Sequence, residues 1–168
     1  MARARCWLPA ALLAGILACG SGPDPEEAGV QAGPAAPDFT LQDLDGREIR
    51  LAALRGKTVV LDFWATWCPP CEFQIPILNE VYDAYRARGV EILGISVDTE
   101  GADVVRSYVE KHGARYPILI GSESLARSFG APGFPSLILV GPDGTIDQVH
   151  VGLIEAPELE KAIAEASG

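Results

Sequence analysis

Positive charge is scarce in this chain: 13 Lys and Arg stand against 23 Asp and Glu over 168 residues, a formal net charge of -10. The bases form no cluster, so the dense positive surface that a phosphate backbone requires is missing and nucleic-acid binding is excluded. Histidine is nearly absent, with only His112 and His150, and the four cysteines are Cys6, Cys19, Cys68 and Cys71. Nothing supplies a second ligand pair beside Cys68 and Cys71, which argues against a structural zinc site. The uncharged apolar run Trp7 to Ala18 stops at Gly20-Ser21-Gly22-Pro23. That is short of the roughly 20 apolar residues a permanent membrane span needs. No internal repeat is present. One domain with a sizeable core remains, and no cofactor is expected.

The first residues read as an export leader. Arg3 and Arg5 precede the apolar stretch WLPAALLAGILA, the basic and then hydrophobic order of a signal peptide over residues 1–18. The segment Ile16-Leu17-Ala18-Cys19 followed by Gly20-Ser21-Gly22 resembles the lipobox of bacterial lipoproteins, although Leu17 departs from the small residue usual there. Cys19 is therefore a candidate lipidation site; the alternatives are simple cleavage near Ala18 with an idle thiol, or an uncleaved anchor. Residues 19–36 are rich in Gly, Pro and Ala without periodicity, the composition of a tether. The expected localisation is the extracytoplasmic or periplasmic face, tethered to a membrane by an N-terminal lipid.

The folded domain is expected over residues 37–168. Asp38–Leu44 and Glu48–Leu51 flank Asp45-Gly46 as a small hairpin. Ala52–Arg55 gives one helical turn, and Thr58–Trp64 (TVVLDFW) has the continuous apolar character of a strand covered on both faces. Pro69–Arg88 is predicted helical, with Phe73, Ile77, Val81 and Ala84 as its buried stripe and Gly89 as its stop. Val90–Val97 is a second buried strand, and Ala102–His112 an amphipathic helix with Val104, Val105, Tyr108 and Val109 inward. A short strand at Pro117–Ile120 and a short helix at Ser122–Phe129 follow. The strands Ser136–Val140 and Thr145–Val151 flank a Gly-Pro-Asp-Gly turn, and a helix at Glu158–Ala166 closes the chain. The order implies an α/β fold, a mixed central sheet with helices on both faces and an N-terminal β-hairpin extension.

The chemistry is placed at Trp67-Cys68-Pro69-Pro70-Cys71. Two thiols separated by two residues, at the end of a buried strand and the start of a helix, can close a disulfide across one turn. Cys68 at the helix N-terminus gains from unpaired N–H groups and the dipole, which lower a thiol pKa and make it the attacking sulfur. Cys71, one turn in, then resolves the mixed disulfide. Pro69 and Pro70 suit a first turn, where a missing N–H costs nothing. A disulfide across three residues removes little chain entropy, so a purely structural role is poorly motivated.

The run from Val59 through Cys71, VVLDFWATWCPPC, resembles the active-site segment of the thioredoxin superfamily. From Ala36 to about Ile163 the chain resembles the TlpA/ResA-like branch of exported thiol–disulfide oxidoreductases. The carrying motifs are Ala36-Pro37-Asp38-Phe39, Asp45-Gly46, Leu54-Arg55-Gly56-Lys57, the cysteine motif and Gly133-Phe134-Pro135. The resemblance implies a thioredoxin-like fold and an enzyme that reduces disulfides in client proteins, apocytochrome c and copper-site cysteines being family substrates. It implies a membrane or periplasmic electron donor that recharges the pair. It implies that Pro135 is a cis-proline beside the thiols and that Phe134 and Trp67 border the client groove. It also implies that Asp62 lies below the pair and moves the proton of Cys71. Gly94 stands where thioredoxins tend to carry a Lys near that Asp, and Gln74 where relatives often carry Glu.

Alternation places Val60, Asp62 and Trp64 on one face of a doubly covered strand, where an unpaired carboxylate is costly and its pKa rises. Exposure of Asp62 to water at a strand end is the competing reading. Pro76 is expected to kink the helix. Two other functions are weighed. A copper-binding or delivery protein needs His112 or His150 near the cysteines, whereas each reads as a surface or cap residue. A peroxiredoxin-like enzyme needs a Pro and a Thr ahead of a lone attacking Cys, and Trp64-Ala65-Thr66-Trp67 does not supply them.

Overall fold

Parallel and antiparallel pairing meet at one central strand. The computed structural model describes residues 33–167. Strand β3 (Thr58–Trp64) pairs in parallel with β4 (Val90–Ser96) on one side and antiparallel with β6 (Ser136–Val140) on the other. With β5 (Ile118–Ile120) and β7 (Ile146–Val151) outside them, the sheet order is β5-β4-β3-β6-β7. Every residue of β3 and of β6 is buried. This is why their sequences are unbroken apolar runs, whereas edge strand β7 alternates between half-buried and exposed. Strands β1 (Thr40–Gln42) and β2 (Glu48–Arg50) form the expected N-terminal hairpin, shorter than the sequence suggested.

Helices α1 (Pro69–Tyr85), α2 (Ala102–His112), α3 (Glu123–Ser128) and α4 (Ala156–Ala166) complete the fold. Phe63 and Trp64 are consecutive and so point to opposite faces. Phe63 meets Phe129, just after α3, at 5.7 Å, and Trp64 meets Tyr108 of α2 at 5.4 Å, so helices cover both faces. Helices α1 and α4 pack on each other. The expected tether of residues 19–36 enters the described part only at its end. There Ala36 N–H donates to Gly144 O and Ile146 N–H to Pro34 O, laying the segment along the start of β7. The leader and Cys19 lie outside the described residues. Among the described residues no helix is long and apolar enough to cross a membrane.

Two packing expectations are corrected. The buried face of α1 is Cys71, Gln74, Ile75, Leu78, Asn79 and Val81; of the expected stripe only Val81 is buried, Ile77 is half-buried, and Ala84 and Phe73 are exposed, Phe73 by 64%. Polar residues take core positions because they satisfy buried backbone: Asn79 donates to Gly113 O and accepts from Arg115 N–H. On α2, Val105 is buried while Val104 is exposed. Boundaries also shift. Helix α1 stops at Tyr85 and a 3-10 turn, Arg86–Arg88, carries the chain to Gly89 at φ 85°. The expected turn at Ala52–Arg55 is a 3-10 helix at Leu51–Leu54. Helix α4 starts two residues before Glu158, at Ala156.

Candidate active site

The loop after β3 delivers two cysteines to the start of α1. Cys68 is the N-cap residue, Pro69 and Pro70 occupy the first turn, and Pro76 sits within the helix. Cys71 N–H donates to Cys68 O at 3.1 Å, closing that turn. The two sulfurs are bonded, with Cα atoms 5.4 Å apart, and in this oxidised form the residues are only 4% and 2% exposed. Pro69 and Pro70 stand in solvent beside them.

The approach loop is held by a carboxylate the sequence did not advertise. Asp98 is buried and accepts from Thr66 N–H, from the Thr66 hydroxyl at 2.5 Å and from the Ser96 hydroxyl at 2.7 Å. Thr66 precedes Trp67 and Cys68, so this anchor sets the path of the chain into the disulfide. Nothing in a Val-Asp-Thr sequence after a strand distinguishes such an anchor from an ordinary exposed turn.

Just before β6, the Phe134–Pro135 bond is cis and Pro135 is buried. The half-buried Phe134 ring meets Trp67 edge-on at 5.8 Å, and Trp67 is 55% exposed. Pro135 O accepts from Gly152 N–H at 2.8 Å, which ties the peptide to the segment after β7. The result is an aromatic, accessible edge formed by residues on two different elements.

Asp62 lies in the middle of β3, in register with Gly94 on β4, and is 2% exposed. Its Oδ1 and the Nε1 of Trp64 have no hydrogen-bond partner among the described residues. Burial pushes the Asp62 pKa from 3.8 up to about 7, while a hydrogen bond from Tyr116 pulls the other way. Burial, and next the charge of Asp62, raise the Tyr116 phenol well above its ordinary value. The space that a side chain at Gly94 would fill is taken: a Cβ there would lie 2.6 Å from Ile118 Cδ1, 2.9 Å from Tyr116 Cε2 and 3.2 Å from Trp64 Nε1. Tyr116 thus stands beside Asp62 where the resemblance implied a basic partner. It is 54 residues away in sequence, and no local pattern points to it.

The histidines are not free surface groups. His112 stacks on Tyr108 at 4.2 Å, with Nδ1 3.4 Å from Glu72 Oε1, and His150 Nε2 lies 3.2 Å from Leu153 O. Among the described residues no three His, Cys, Asp or Glu side chains gather as a metal cluster.

Residues 32–149 match the AhpC/TSA family. The chain is 36% identical to the thiol-disulfide oxidoreductase ResA of Geobacillus thermodenitrificans over 137 residues, covering 81% of this chain and 78% of that protein. It is 37% identical to ResA of Halalkalibacterium halodurans over 123 residues, covering 73% of this chain and 69% of that protein. Among solved structures, a thiol:disulfide interchange protein of the thioredoxin family from Chlorobium tepidum superposes with a TM-score of 0.72 at 30% identity, over 81% of this chain and 97% of that one. With a bonded Cys-Pro-Pro-Cys pair at the head of α1 in a thioredoxin-like fold, this chain belongs to the AhpC/TSA family, as one of its ResA-type thiol–disulfide oxidoreductases.

Proposed function

We propose that the Cys68/Cys71 pair works as a reductant of client-protein disulfides outside the cytoplasm. The Cys68 thiolate attacks one client sulfur, forming a mixed disulfide, and the other client sulfur leaves as a thiolate. Cys71, its proton passed to Asp62, attacks Cys68 Sγ; the second client thiolate departs and the pair is left oxidised by two electrons. A membrane or periplasmic dithiol donor restores it. Trp67, Phe134 and the cis Phe134–Pro135 peptide border the groove that receives the extended client segment, and Pro69 and Pro70 shape its floor. Apocytochrome c and the cysteines of copper sites are the proposed clients.

The observation that carries the reductive direction is the double proline at the N-terminus of α1. An N-cap side chain ordinarily gains from the N–H groups of the first turn. Pro69 and Pro70 lack theirs, so Cys68 has fewer donors to stabilise its thiolate. A less stabilised thiolate makes the dithiol state less favourable, and the pair more reducing. The midpoint potential of the pair is expected nearer the roughly -270 mV of thioredoxin than the roughly -120 mV of a strong oxidant. Equilibration against glutathione measures it, and a value at the oxidising end overturns the direction.

The tether and leader support attachment at Cys19. The native protein is expected to begin at Cys19 and to carry a diacylglyceryl mass, read by intact-mass spectrometry of material from its own host. An unmodified soluble species with another N-terminus refutes the anchor.

A further inference from the structure

Gln74 is a fully buried polar side chain, 0% exposed, three residues after Cys71. Its amide makes both of its hydrogen bonds to the backbone of one distant residue: Nε2 donates to Ile154 O at 3.3 Å, and Oε1 accepts from Ile154 N–H at 3.0 Å. The segment it grips is held twice more, by Gly152 N–H on Pro135 O at 2.8 Å and by His150 Nε2 against Leu153 O at 3.2 Å. A continuous set of contacts therefore runs from the cysteine-bearing helix, through residues 152–154, to the cis-proline peptide. Between the two grips Leu153 is 43% exposed while its neighbour Ile154 is in the core. An apolar side chain is thus held out toward solvent on a segment whose backbone is fixed on either side.

We infer that Gln74 is a positioning residue that pins the 152–154 segment to the redox helix, so that Leu153 forms a wall beside the Phe134–Pro135 peptide and selects clients with an apolar residue next to the reacting cysteine. The inference rests on the proposed groove. Only a side chain with both a donor and an acceptor matches the C=O and N–H of one residue, which an amide does and a carboxylate does not. A Glu at this position places an acceptor against Ile154 O when ionised; once protonated, it regains the donor. The charged and titratable groups around the segment are Glu155, exposed and next to Ile154 in the chain, His150, Glu158, 3.8 Å from His150 Nδ1, and the cysteine pair on α1.

The test is reduction by the full chain of two synthetic peptide disulfides that differ only in carrying Leu or Ser beside one cysteine. The wild type is expected to prefer the Leu peptide in kcat/KM by about tenfold. Leu153→Ala abolishes the preference. Gln74→Glu abolishes it near pH 8 and recovers it near pH 5.5, each value taken relative to wild type at the same pH so that His150 and the thiols cancel. The double variant is expected to lose no more than either single one, since both act through the same wall. A preference that Gln74→Glu leaves intact at both pH values, or loses without recovery at low pH, overturns the inference. Should the wild type reduce neither peptide, the reductive reading fails, and amide exchange still decides the clip. In Gln74→Leu the Ile154 amide is expected to exchange at least about tenfold faster, and unchanged protection refutes the clip.

Discussion

Cys71→Ser is expected to trap client proteins in mixed disulfides, whereas Cys68→Ser is expected to trap almost none. Both variants should lose disulfide-reducing turnover on the order of a thousandfold, because the two sulfurs act as one unit. The asymmetry in trapping follows from position in the helix. Cys68 is the N-cap residue, where even with two prolines following it the helix terminus favours a negative sulfur. Cys71 is enclosed by the first turn, and its N–H is already engaged by Cys68 O. In the oxidised state the two are almost equally buried, so static exposure does not assign the roles. The assignment rests on which sulfur meets the helix terminus and the accessible Trp67–Phe134 edge. Non-reducing gels of each variant after acid quenching in the host read the result directly. Equal trapping by both would mean that the helix terminus does not decide which sulfur attacks.

How far this site could be read in advance depends on whether its contacts are local. The cysteine pair, its helix start and strand β3 were legible because each is a short-range pattern: a spacing of three, prolines in a first turn, a doubly covered strand written as VVLDFW. Strand β6 and helix α2 were legible for the same reason, and their observed limits coincide with the expected ones. The inner face of α1 was not. Apolar periodicity assumes that the core takes apolar residues, yet Gln74 and Asn79 occupy core positions because each satisfies backbone groups on another segment. Phe73, which periodicity turned inward, is left in solvent. Asp98 and Tyr116 were missed on similar grounds. Their partners, Thr66 and Asp62, are brought to them by the parallel pairing of β3 with β4 and by the chain leading into β5, neither of which leaves a mark in local sequence. A buried carboxylate on β3 could be anticipated from alternation alone; the identity of its neighbour could not.

Asp62→Asn is expected to make the oxidised protein more stable and the enzyme slower, with both effects depending on pH in a defined sense. Burial raises the Asp62 pKa in the folded state from 3.8 to about 7. Below pH 4 both folded and unfolded chains hold the proton, and burial of the carboxyl carries no charge penalty. Between about pH 4 and 7 the unfolded chain releases the proton while the folded chain keeps it, so wild-type stability falls as pH rises. Above pH 7 both are ionised and the full cost is present, roughly 4 kcal/mol for a shift of about three units. Asn removes the titration and keeps the shape. It still buries an amide where Oδ1 had no partner, so the recovered stability is smaller, about 1–3 kcal/mol near pH 8 and close to zero near pH 4. Denaturant unfolding of the oxidised form at those two pH values measures the difference. The rate effect separates this from mere relief of strain. In the proposed mechanism Asp62 receives the Cys71 proton, so Asp62→Asn should slow release of the mixed disulfide at neutral pH by about a hundredfold, the low end for a general base. It should leave the first attack by Cys68 nearly unchanged. The deficit should narrow at alkaline pH, where solvent hydroxide takes the proton instead. Stopped-flow reduction of a model disulfide, with attack and release followed separately, distinguishes the two steps. A variant that gains stability with no change in the release step would leave Asp62 a costly buried acid with no part in the proton transfer.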